Sequence, residues 1–445
     1  MKFPDQFLSH LISCPGFKEQ SFVEAHEVAP PVSIRLNENK KFVHPYPDRV
    51  PWTQNGYYLA ERPQFVFDPF FHAGAYYVQE ASGMFVEYIF RNAIDVTQSL
   101  KVLDLCAAPG GKSTIISSLI SEDSLLVSNE IIKTRVSALK ENLTKWGNSN
   151  VVVTNNDPDD FKSLQQFFDV ILVDAPCSGS GLFRKDNSAM QEWSEENVLH
   201  CQKRQKRILQ NIIPDLKTGG KLIYTTCSFS KEENEDIVQY LVEEFGMSVV
   251  NLNVPAAWNI TSTQYGHRFY PDKIKGEGFF ACVLVKEKEN AQVNDVTTGA
   301  YMPYTEVSGE EIGGIIPYFQ HTEKYTFFSF KDSVFCIQKI HFSSIKKLAS
   351  ALRVVQAGTE IGKLIRNELI PAHAFAMSSL LHNSIPKIDL EKKEAIHYLR
   401  KENFTTETDK TGWAICTYQN IPLGWIKILP NRINNYYPVD WRIRK

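Results

Sequence analysis

The chain has 445 residues, 43% of them hydrophobic and 22% charged, which is enough apolar material for about two or three folded domains. Its formal net charge of −3 excludes a polycation that coats nucleic acid along its whole surface, but it permits a local basic patch. No apolar run reaches the ~18 residues of a membrane span, so we expect no membrane contact. The eight cysteines are too sparse for a disulfide scaffold and form no CxxC pair, so we expect a cytoplasmic protein with free thiols.

The first 95 residues differ in composition from the rest of the chain. They are rich in aromatic residues and prolines, as in the segment PWTQNGYYLAERPQFVFDPFFHAGAYY (51–77), and they contain one predicted helix near residues 5–13. This composition predicts a separate small α+β lobe over residues 1–95.

Residues 96–288 alternate short apolar runs with longer amphipathic runs, which is typical of an α/β domain. The apolar runs have the Val, Ile and Leu content of strands buried on both faces of a parallel sheet: KVLDLC (101–106), LLVSNE (125–130), NVVVTN (150–155), DVILVDAP (169–176) and KLIYTTC (221–227). Helical spacing occurs between and after these runs, over residues 112–121, 131–146, 195–213 and 232–245. A hairpin at the sheet edge is predicted from two final runs, MSVVNL (247–252) and GFFACVLV (278–285).

The last third of the chain is set apart by its charge. Residues 1–289 carry 29 Lys and Arg against 36 Asp and Glu, whereas residues 290–445 carry 19 against 15. A polar segment at residues 286–299 lies near this change and has the composition of a linker. Beyond it we expect two small mixed domains, over residues 300–385 and 386–445, the second of which ends in a basic stretch.

The first motif is DLCAAPGGKS (104–113), where a predicted strand ends in a glycine turn that opens a helix. The two glycines allow a ligand to approach the backbone, and N–H groups at a helix N-terminus bind polar or anionic groups. Neither of two phosphate-binding motifs is complete in this turn. A Walker A loop would need glycine in place of Cys106, and the GxGxxG fingerprint of dinucleotide-binding proteins is absent. A plain strand-to-helix turn without a ligand is a further interpretation.

Glu130, about 20 residues further on, ends the next strand where a carboxylate can bind both hydroxyls of a ribose. Asp157 follows the third strand, and polar groups at three successive strand ends argue against the plain turn.

The second and third motifs, DAPCSGSGLFRKD (174–186) and TTCSFSKEENED (225–236), each place a cysteine just after a strand. Cys177 and Cys227 would thus lie at the carboxyl edge, where open α/β sheets bind ligands. Ser230 followed by Glu233 resembles a capping box that opens a helix, and a nearby helix N-terminus favours a thiolate nucleophile. A redox pair or half of a zinc site would be alternatives, but no His or third Cys lies nearby at ligand spacing. The other six cysteines are predicted to be buried and inert.

Together with RFYPDKIKGEGFF (268–280), these motifs resemble the Sun/Nop family of RNA cytosine-5 methyltransferases over residues 33–285. The segments SIRLN (33–37) and AGAYYVQEASGM (73–84) and the ending GWIKILPNRINNYYPVDWRI (424–443) are similar to the bacterial RsmF-like branch, which acts on small-subunit rRNA. The resemblance implies a Rossmann-like methyltransferase sheet, a small N-terminal α+β lobe and a C-terminal PUA-like RNA-binding region.

The resemblance also implies a cofactor and the residues that would hold it. S-adenosylmethionine would lie with its amino-acid end against the glycine turn, its ribose on Glu130 and its adenine near Asp157. The implied cofactor residues are Ala107, Ala108, Pro109, Gly110, Gly111, Lys112, Ser113, Glu130, Arg135, Asp157 and Asp174. No metal is implied.

For catalysis, the resemblance assigns Cys227 as the nucleophile that attacks carbon 6 of cytosine, because carbon 5 is not nucleophilic enough to take a methyl group unaided. Asp174 would bond the base and stabilise charge, and Cys177 would help to remove the carbon 5 proton and release Cys227. Motif spacing does not show which thiol attacks. DNA cytosine-5 enzymes use the cysteine of their Pro-Cys motif, so the reverse assignment stays open.

RNA is the implied partner, above all 16S rRNA, alone or within a ribosomal subunit, and the target cytosine would have to leave its stack. Lys185 would contact the target base or its phosphate, or else be a solvated loop lysine. Arg432 and Arg442 would present cations to RNA beside aromatic side chains that stack on bases or fill a small core. Three alternatives remain open: tRNA as substrate, a non-catalytic RNA-binding assembly factor on the same fold and, least favoured, an ATPase. We expect a monomer.

Overall fold

The computed structural model describes residues 3–288, 304–330, 332–366, 368–404, 408 and 410–444. The chain forms an N-terminal lobe, a central domain built on a large mixed sheet, and a C-terminal part with two further sheets. The predicted linker at 286–299 falls mostly outside the described residues. Across those described ranges, no helix has both the length and the apolar character needed to cross a membrane.

The N-terminal lobe consists of short helices around a small sheet. Its elements are α1 (Phe7–Leu11), α2 (Glu19–His26), β1 (Val32–Leu36), β2 (Gly56–Leu59), α3 (Pro69–His72), β3 (Tyr76–Val78) and α4 (Phe85–Ala93). The sheet is antiparallel, with β1 between β2 and β3. The helix α1 confirms the prediction at residues 5–13, whereas α2 was not predicted. Both helices are anchored by fully buried aromatic rings, Phe7 and Phe22, which share a cluster with Phe229 of the central domain.

The central domain contains nine strands and five helices among the described residues of 101–286. Its strands are β4 (Lys101–Asp104), β5 (Leu125–Asn129), β6 (Val151–Thr154), β7 (Phe168–Asp174), β8 (Leu216–Thr226), β9 (Met247–Val249), β10 (Thr261–Thr263), β11 (Gly266–Phe269) and β12 (Phe279–Lys286). Its helices are α5 (Gly111–Leu119), α6 (Lys133–Trp146), α7 (Asn187–Glu192), α8 (Glu195–Ile212) and α9 (Glu235–Phe245).

The strand order confirms the predicted Rossmann-like sheet. Strands β8, β7, β4, β5 and β6 lie side by side in that order and run parallel. Neighbouring residues of β6, Val152 and Val153, are fully buried in separate apolar clusters, as expected for a strand covered on both faces. The predicted hairpin is only partly right: β9 does pair with β12, but β12 lies inside the sheet between β8 and β11.

The C-terminal part forms two smaller sheets. Its elements are β13 (Thr305–Glu306), α10 (Gly309–Gly313), β14 (Tyr325–Phe330), β15 (Ser333–Gln338), α11 (Phe342–Ala351), β16 (Val354–Ala357), β17 (Thr359–Ile365), β18 (Glu368–Pro371), α12 (His373–Met377), β19 (Lys387–Asp389), α13 (Lys392–Arg400), β20 (Gly412–Tyr418), β21 (Ile421–Leu429) and β22 (Arg432–Asn435). The first sheet has the order β13–β14–β15–β17–β18. The second has the order β19–β20–β21–β22.

Strand β16 belongs to neither of these two sheets. It pairs antiparallel with β6 and becomes the last strand of the central sheet. The N–H and C=O groups that β6 would expose as an edge strand are thereby paired with β16. Leu348 of α11 and Phe335 of β15 share an apolar cluster with Leu125 of β5. The segment around β16 and the central domain therefore share one core, which the sequence did not predict.

Candidate active site

The glycine turn predicted after β4 is formed by residues 107–111 at the carboxyl edge of the sheet. Gly110 caps α5 with a φ of +112°, a left-handed conformation that would strain a side chain. Two side chains of α6 hold the turn, since Arg135 donates to the Ala108 carbonyl at 2.6 Å and Asn142 donates to the Pro109 carbonyl at 2.8 Å. The first N–H groups of α5 therefore lie at the edge of the sheet where the strands end, and they have no partner within the helix.

Glu130 follows β5 and is buried, with an exposed fraction of 2%. Its Oε1 accepts from the Ile132 N–H at 2.8 Å, and its Oε2 lies 3.4 Å from Nη1 of Arg135. Ile131 and Ile132 are each 48% exposed, so an apolar surface lies beside the carboxylate. A carboxylate next to an exposed apolar surface fits the hydroxyls and the flat base of a nucleoside. The isoleucines were missed because their exposure is visible only in the fold.

Two of the predicted cofactor residues have internal contacts of their own. Asp157 follows β6, accepts from the Asp159 N–H at 3.0 Å and pairs with Arg207 at 3.2 Å. Ser113 is fully buried and donates to Asp104 at 2.6 Å. Burial raises the pKa of Asp104 to about 7, and its second carboxylate oxygen has no partner among the described residues. The structure therefore places Ser113 against the end of β4 and Asp157 between the turn that follows β6 and helix α8.

Lys112 and Asp174 form an ion pair between the glycine turn and the end of β7, with 2.7 Å between Nζ and Oδ2. Thr225 of β8 donates to the other oxygen of Asp174 at 2.8 Å. Burial lowers the pKa of Lys112, but the charge and the hydrogen bond of Asp174 outweigh it and leave the pKa raised. Lys112 is therefore a permanent cation beside Asp174. The sequence places the two residues in different motifs and did not predict their contact.

Cys177 and Cys227 lie on the loops after β7 and β8 with their Sγ atoms 3.1 Å apart. Both are partly exposed, whereas five of the other cysteines are buried as predicted: Cys14, Cys201, Cys282, Cys336 and Cys416. Cys106 is partly exposed, which corrects the prediction that it is buried. The hydrogen bond with Cys227, together with burial, raises the pKa of Cys177, so this thiol keeps its proton at neutral pH. The two predicted thiols are thus brought together at one edge.

The capping box predicted at Ser230 and Glu233 is wrong. Residues 231–233 form a single 3-10 turn, and the Ser230 side chain makes no capping hydrogen bond. Glu233 is fully buried, and its carboxylate accepts from Ser178 and Ser228, the residues directly after the two cysteines. The S-x-x-E spacing is correct for a capping box. The Glu233 side chain points instead to Ser178 and Ser228, and the local pattern does not encode these tertiary contacts.

The predicted RNA contacts lie in two separate places. Lys185 is in the loop that follows Cys177, with its Nζ 4.0 Å from Oε1 of Glu277. Arg432 and Arg442 are exposed on the C-terminal part. As for metals, no three His, Cys, Asp or Glu side chains are grouped as ligands within the described part of the chain.

Family profiles match three successive segments of the chain. The profile of the 16S rRNA methyltransferase RsmB/F family matches residues 92–285. The N-terminal domain of 16S rRNA methyltransferase RsmF matches residues 3–81, and the PUA domain of methyltransferase RsmF matches residues 385–443. The last match agrees with the predicted C-terminal PUA-like region.

Curated relatives cover most of the chain. The ribosomal RNA small subunit methyltransferase F of Shewanella sp. (strain W3-18-1) is 30% identical over 416 residues, which is 88% of this chain and 84% of the relative. The protein of the same name from Shewanella loihica is 28% identical over 416 residues, which is 88% of this chain and 83% of the relative.

Solved structures agree with the fold. A methyltransferase homolog from Pyrococcus horikoshii is 29% identical, with a TM-score of 0.54, and the match covers 64% of this chain and 95% of that one. The structure of NSun6 from Pyrococcus horikoshii with SFG has a TM-score of 0.53 over 64% of this chain and 99% of that one. At 20% identity the second likeness concerns the fold alone.

Proposed function

The chain belongs to the RsmB/F family of 16S rRNA methyltransferases, and from this we propose that it methylates carbon 5 of a cytosine in 16S rRNA through a covalent bond between Cys227 and carbon 6. The observation that carries the proposal is the thiol pair, with sulfurs 3.1 Å apart, next to the ion pair of Asp174 and Lys112. Carbon 5 becomes nucleophilic only after addition at carbon 6, so its methylation requires a nucleophile, and a second group must then remove the carbon 5 proton.

The methyl donor is S-adenosylmethionine, which supplies an electrophilic methyl group from a sulfonium sulfur. The residues present fit this molecule. The buried carboxylate of Glu130 suits the ribose hydroxyls, and the exposed Ile131 and Ile132 suit the adenine. The turn at 107–111 and the start of α5 suit the amino-acid end. The remaining proposed contacts are Lys112, Ser113, Arg135, Asp157 and Asp174.

The chain's own groups then act on the base. The Cys227 thiolate bonds to carbon 6, and the electron pair displaced from the ring moves to N3, which takes a proton from the solvent. Asp174, held by Lys112 and Thr225, accepts from the base at N3 and N4 and so stabilises the protonated N3. Once carbon 5 carries the methyl group, the Cys177 thiol gives its own proton to the solvent, and the resulting thiolate takes the proton from carbon 5. The electron pair of that C–H bond restores the double bond as the bond between Cys227 and carbon 6 breaks, and N3 returns its proton to the solvent. The raised pKa of Cys177 makes its thiolate a strong proton acceptor for this step.

The test is transfer of a tritiated methyl group to 16S rRNA, to small ribosomal subunits and to tRNA, with bisulfite sequencing to identify the base. We expect 5-methylcytosine in 16S rRNA with the wild type and none with Cys227→Ala. Cys177→Ala should accumulate a protein–RNA adduct that survives denaturing electrophoresis, because the adduct cannot be resolved. Cys201→Ala removes a buried thiol and serves as the control. An adduct with Cys227→Ala would reverse the roles of the thiols, and methylation of tRNA alone would refute the rRNA assignment.

A further inference from the structure

Glu233 is a buried carboxylate that the proposed reaction does not use. It is 0% exposed, and four donors surround it. Oε1 accepts from the Ser178 N–H at 2.8 Å and from Nε2 of Gln205 at 3.4 Å. Oε2 accepts from the hydroxyl of Ser178 at 2.6 Å and from the hydroxyl of Ser228 at 2.5 Å. All four contacts are donors, which is the arrangement that an ionised carboxylate requires.

These donors come from the two cysteine loops and from a helix. Ser178 directly follows Cys177, and Ser228 directly follows Cys227. Gln205 lies on α8 and also donates to the carbonyl of Pro176, the residue before Cys177, at 3.1 Å. One carboxylate therefore joins the loop after β7, the loop after β8 and α8.

Glu233 is itself tied to the central sheet. Its backbone carbonyl accepts from the hydroxyl of Tyr224, a fully buried residue of β8, at 2.7 Å. The next residue, Asn234, accepts from the Thr226 hydroxyl at 2.6 Å and donates to the Ser228 carbonyl at 2.8 Å. The loops are thus fixed to a rigid strand, which is the support that a precise site needs.

We propose that Glu233 is the positioning residue of the thiol pair, holding Cys177 and Cys227 at their reactive separation by binding the serine that follows each of them. The inference rests on the proposed function, in which both sulfurs act on one base. Without the carboxylate, the two cysteine loops move apart. A displacement of about 1 Å in a reacting group can lower the reaction rate by ~10²-fold. The negative charge of Glu233 also opposes a thiolate at Cys177, in agreement with the raised pKa of that thiol.

The variants separate the geometry from the charge. Glu233→Ala removes the bridge, and the double variant Ser178→Ala/Ser228→Ala removes its two hydroxyl donors while keeping the carboxylate. Glu233→Gln keeps the size, accepts from the Ser178 N–H through its amide oxygen and donates to the serine oxygens through its amide nitrogen. The matched control is Glu232→Gln, because Glu232 is the adjacent carboxylate and pairs with His10 instead of the loops.

We expect kcat to fall by ~10²-fold in Glu233→Ala and by about tenfold in the double serine variant, with the KM for RNA unchanged. Glu233→Gln should recover kcat to within about tenfold of the wild type, and Glu232→Gln should stay within about twofold. A loss of kcat in Glu232→Gln equal to that in Glu233→Ala would overturn the inference, because removing a carboxylate that does not contact the two loops would then have the same effect.

A second readout does not depend on methylation. Diamide takes two electrons and two protons from a pair of close thiols and leaves one S–S bond, so its rate of linking Cys177 to Cys227 reports their separation. Mass spectrometry of non-reduced peptides measures this rate, and circular dichroism checks the fold. We expect linking to be at least tenfold slower in Glu233→Ala than in the wild type and near the wild-type rate in Glu233→Gln.

The outcomes keep the two proposals apart. If Glu233→Ala and the double serine variant both link at the wild-type rate with unchanged kcat, while Cys227→Ala is inactive, the positioning role is refuted and the proposed function stands. If the wild type makes no 5-methylcytosine, the proposed function fails, and the linking rates still judge the positioning role. If Glu233→Ala does not fold, the double serine variant decides.

Discussion

Gly181 has no room for a side chain at a point where the two cysteine loops touch. A Cβ there would lie 2.5 Å from the Gly278 carbonyl oxygen and 2.7 Å from the Cys227 carbonyl oxygen, and both are backbone atoms. The Gly181 N–H already donates to that Cys227 carbonyl at 2.8 Å. We expect Gly181→Ala to push the Cys227 loop away and to lower the free energy of unfolding by about 1–3 kcal/mol. Urea denaturation and kcat measure the two effects.

The control for this substitution is Gly309→Ala. A Cβ at Gly309 would meet no atom within 4 Å outside its own helix and chain neighbours, so stability should not fall and kcat should not change. Equal losses in the Gly181 and Gly309 variants would show that the effect does not come from the contact between the loops, because restricting the unfolded backbone by a Gly→Ala change is by itself stabilising.

Glu130 tests the proposed binding of the methyl donor. Glu130→Gln keeps the shape of the side chain but replaces a charged acceptor with a neutral amide, and hydrogen bonds to charged groups are the stronger ones. We expect the Kd of S-adenosylmethionine to rise by about tenfold, which corresponds to ~1.4 kcal/mol. Isothermal calorimetry measures the Kd, and Glu122→Gln at an exposed position is the control. An unchanged Kd would remove Glu130 from the proposed site.

At the scale of the element, α1 should be part of the cooperative unit although it has only five residues. Phe7 is 0% exposed, and its ring lies 4.9 Å from the rings of Phe183 and Trp193 in the central domain. Because a buried Phe→Ala change leaves a cavity, we expect Phe7→Ala to cost about 3 kcal/mol of unfolding free energy in urea. Ile12→Ala removes a side chain that is 67% exposed and should stay within about 0.5 kcal/mol. A Phe7→Ala chain as stable as the wild type would mean that α1 is an independent appendage.

The sequence predicted the central strands because a strand buried on both faces leaves a continuous run of apolar residues, as VVVT does in β6. It also predicted that Cys177 and Cys227 would lie at one edge, since the carboxyl ends of parallel strands meet there. Strand β16 could not be predicted, because four residues give little periodicity and their partner β6 lies about 200 residues away in the chain. Side-chain direction was equally inaccessible, as with Glu233, whose local pattern favoured a cap.

At the scale of the whole molecule, the C-terminal end of α6 joins the three parts of the chain. Asn37 of the N-terminal lobe donates to the Trp146 carbonyl at 3.0 Å. A Cβ at Gly147 would collide with the Met377 carbonyl oxygen of the C-terminal part, which shows how closely the two backbones approach. Close backbone contacts near this helix end therefore join the central sheet to the N-terminal lobe and to the C-terminal part at Met377.

The contact between the N-terminal lobe and the end of α6 can be tested through Lys40, because the pKa of Lys40 makes the free energy of unfolding depend on pH. It is buried and donates to the Ala73 carbonyl at 2.9 Å and to the Lys145 carbonyl at 2.5 Å. Burial, with the nearby charge of Lys145, lowers the pKa of Lys40 from 10.5 to about 7. Between these two values the unfolded chain binds more protons than the folded chain. The stability that Lys40 contributes therefore rises with pH, by up to about 1.4 kcal/mol per pH unit, and is smallest below pH 7.

Relative to Lys40→Met, the wild type should gain about 2 kcal/mol of unfolding free energy between pH 7 and pH 9, as measured by urea denaturation at pH 7, 8 and 9. Lys41→Met, at the exposed neighbouring position, should show no such change with pH. A difference between Lys40→Met and the wild type that stays flat from pH 7 to pH 9 would mean that the ammonium group is solvated. The N-terminal lobe would then not be closed against α6, and the contact between the three parts would have to lie elsewhere.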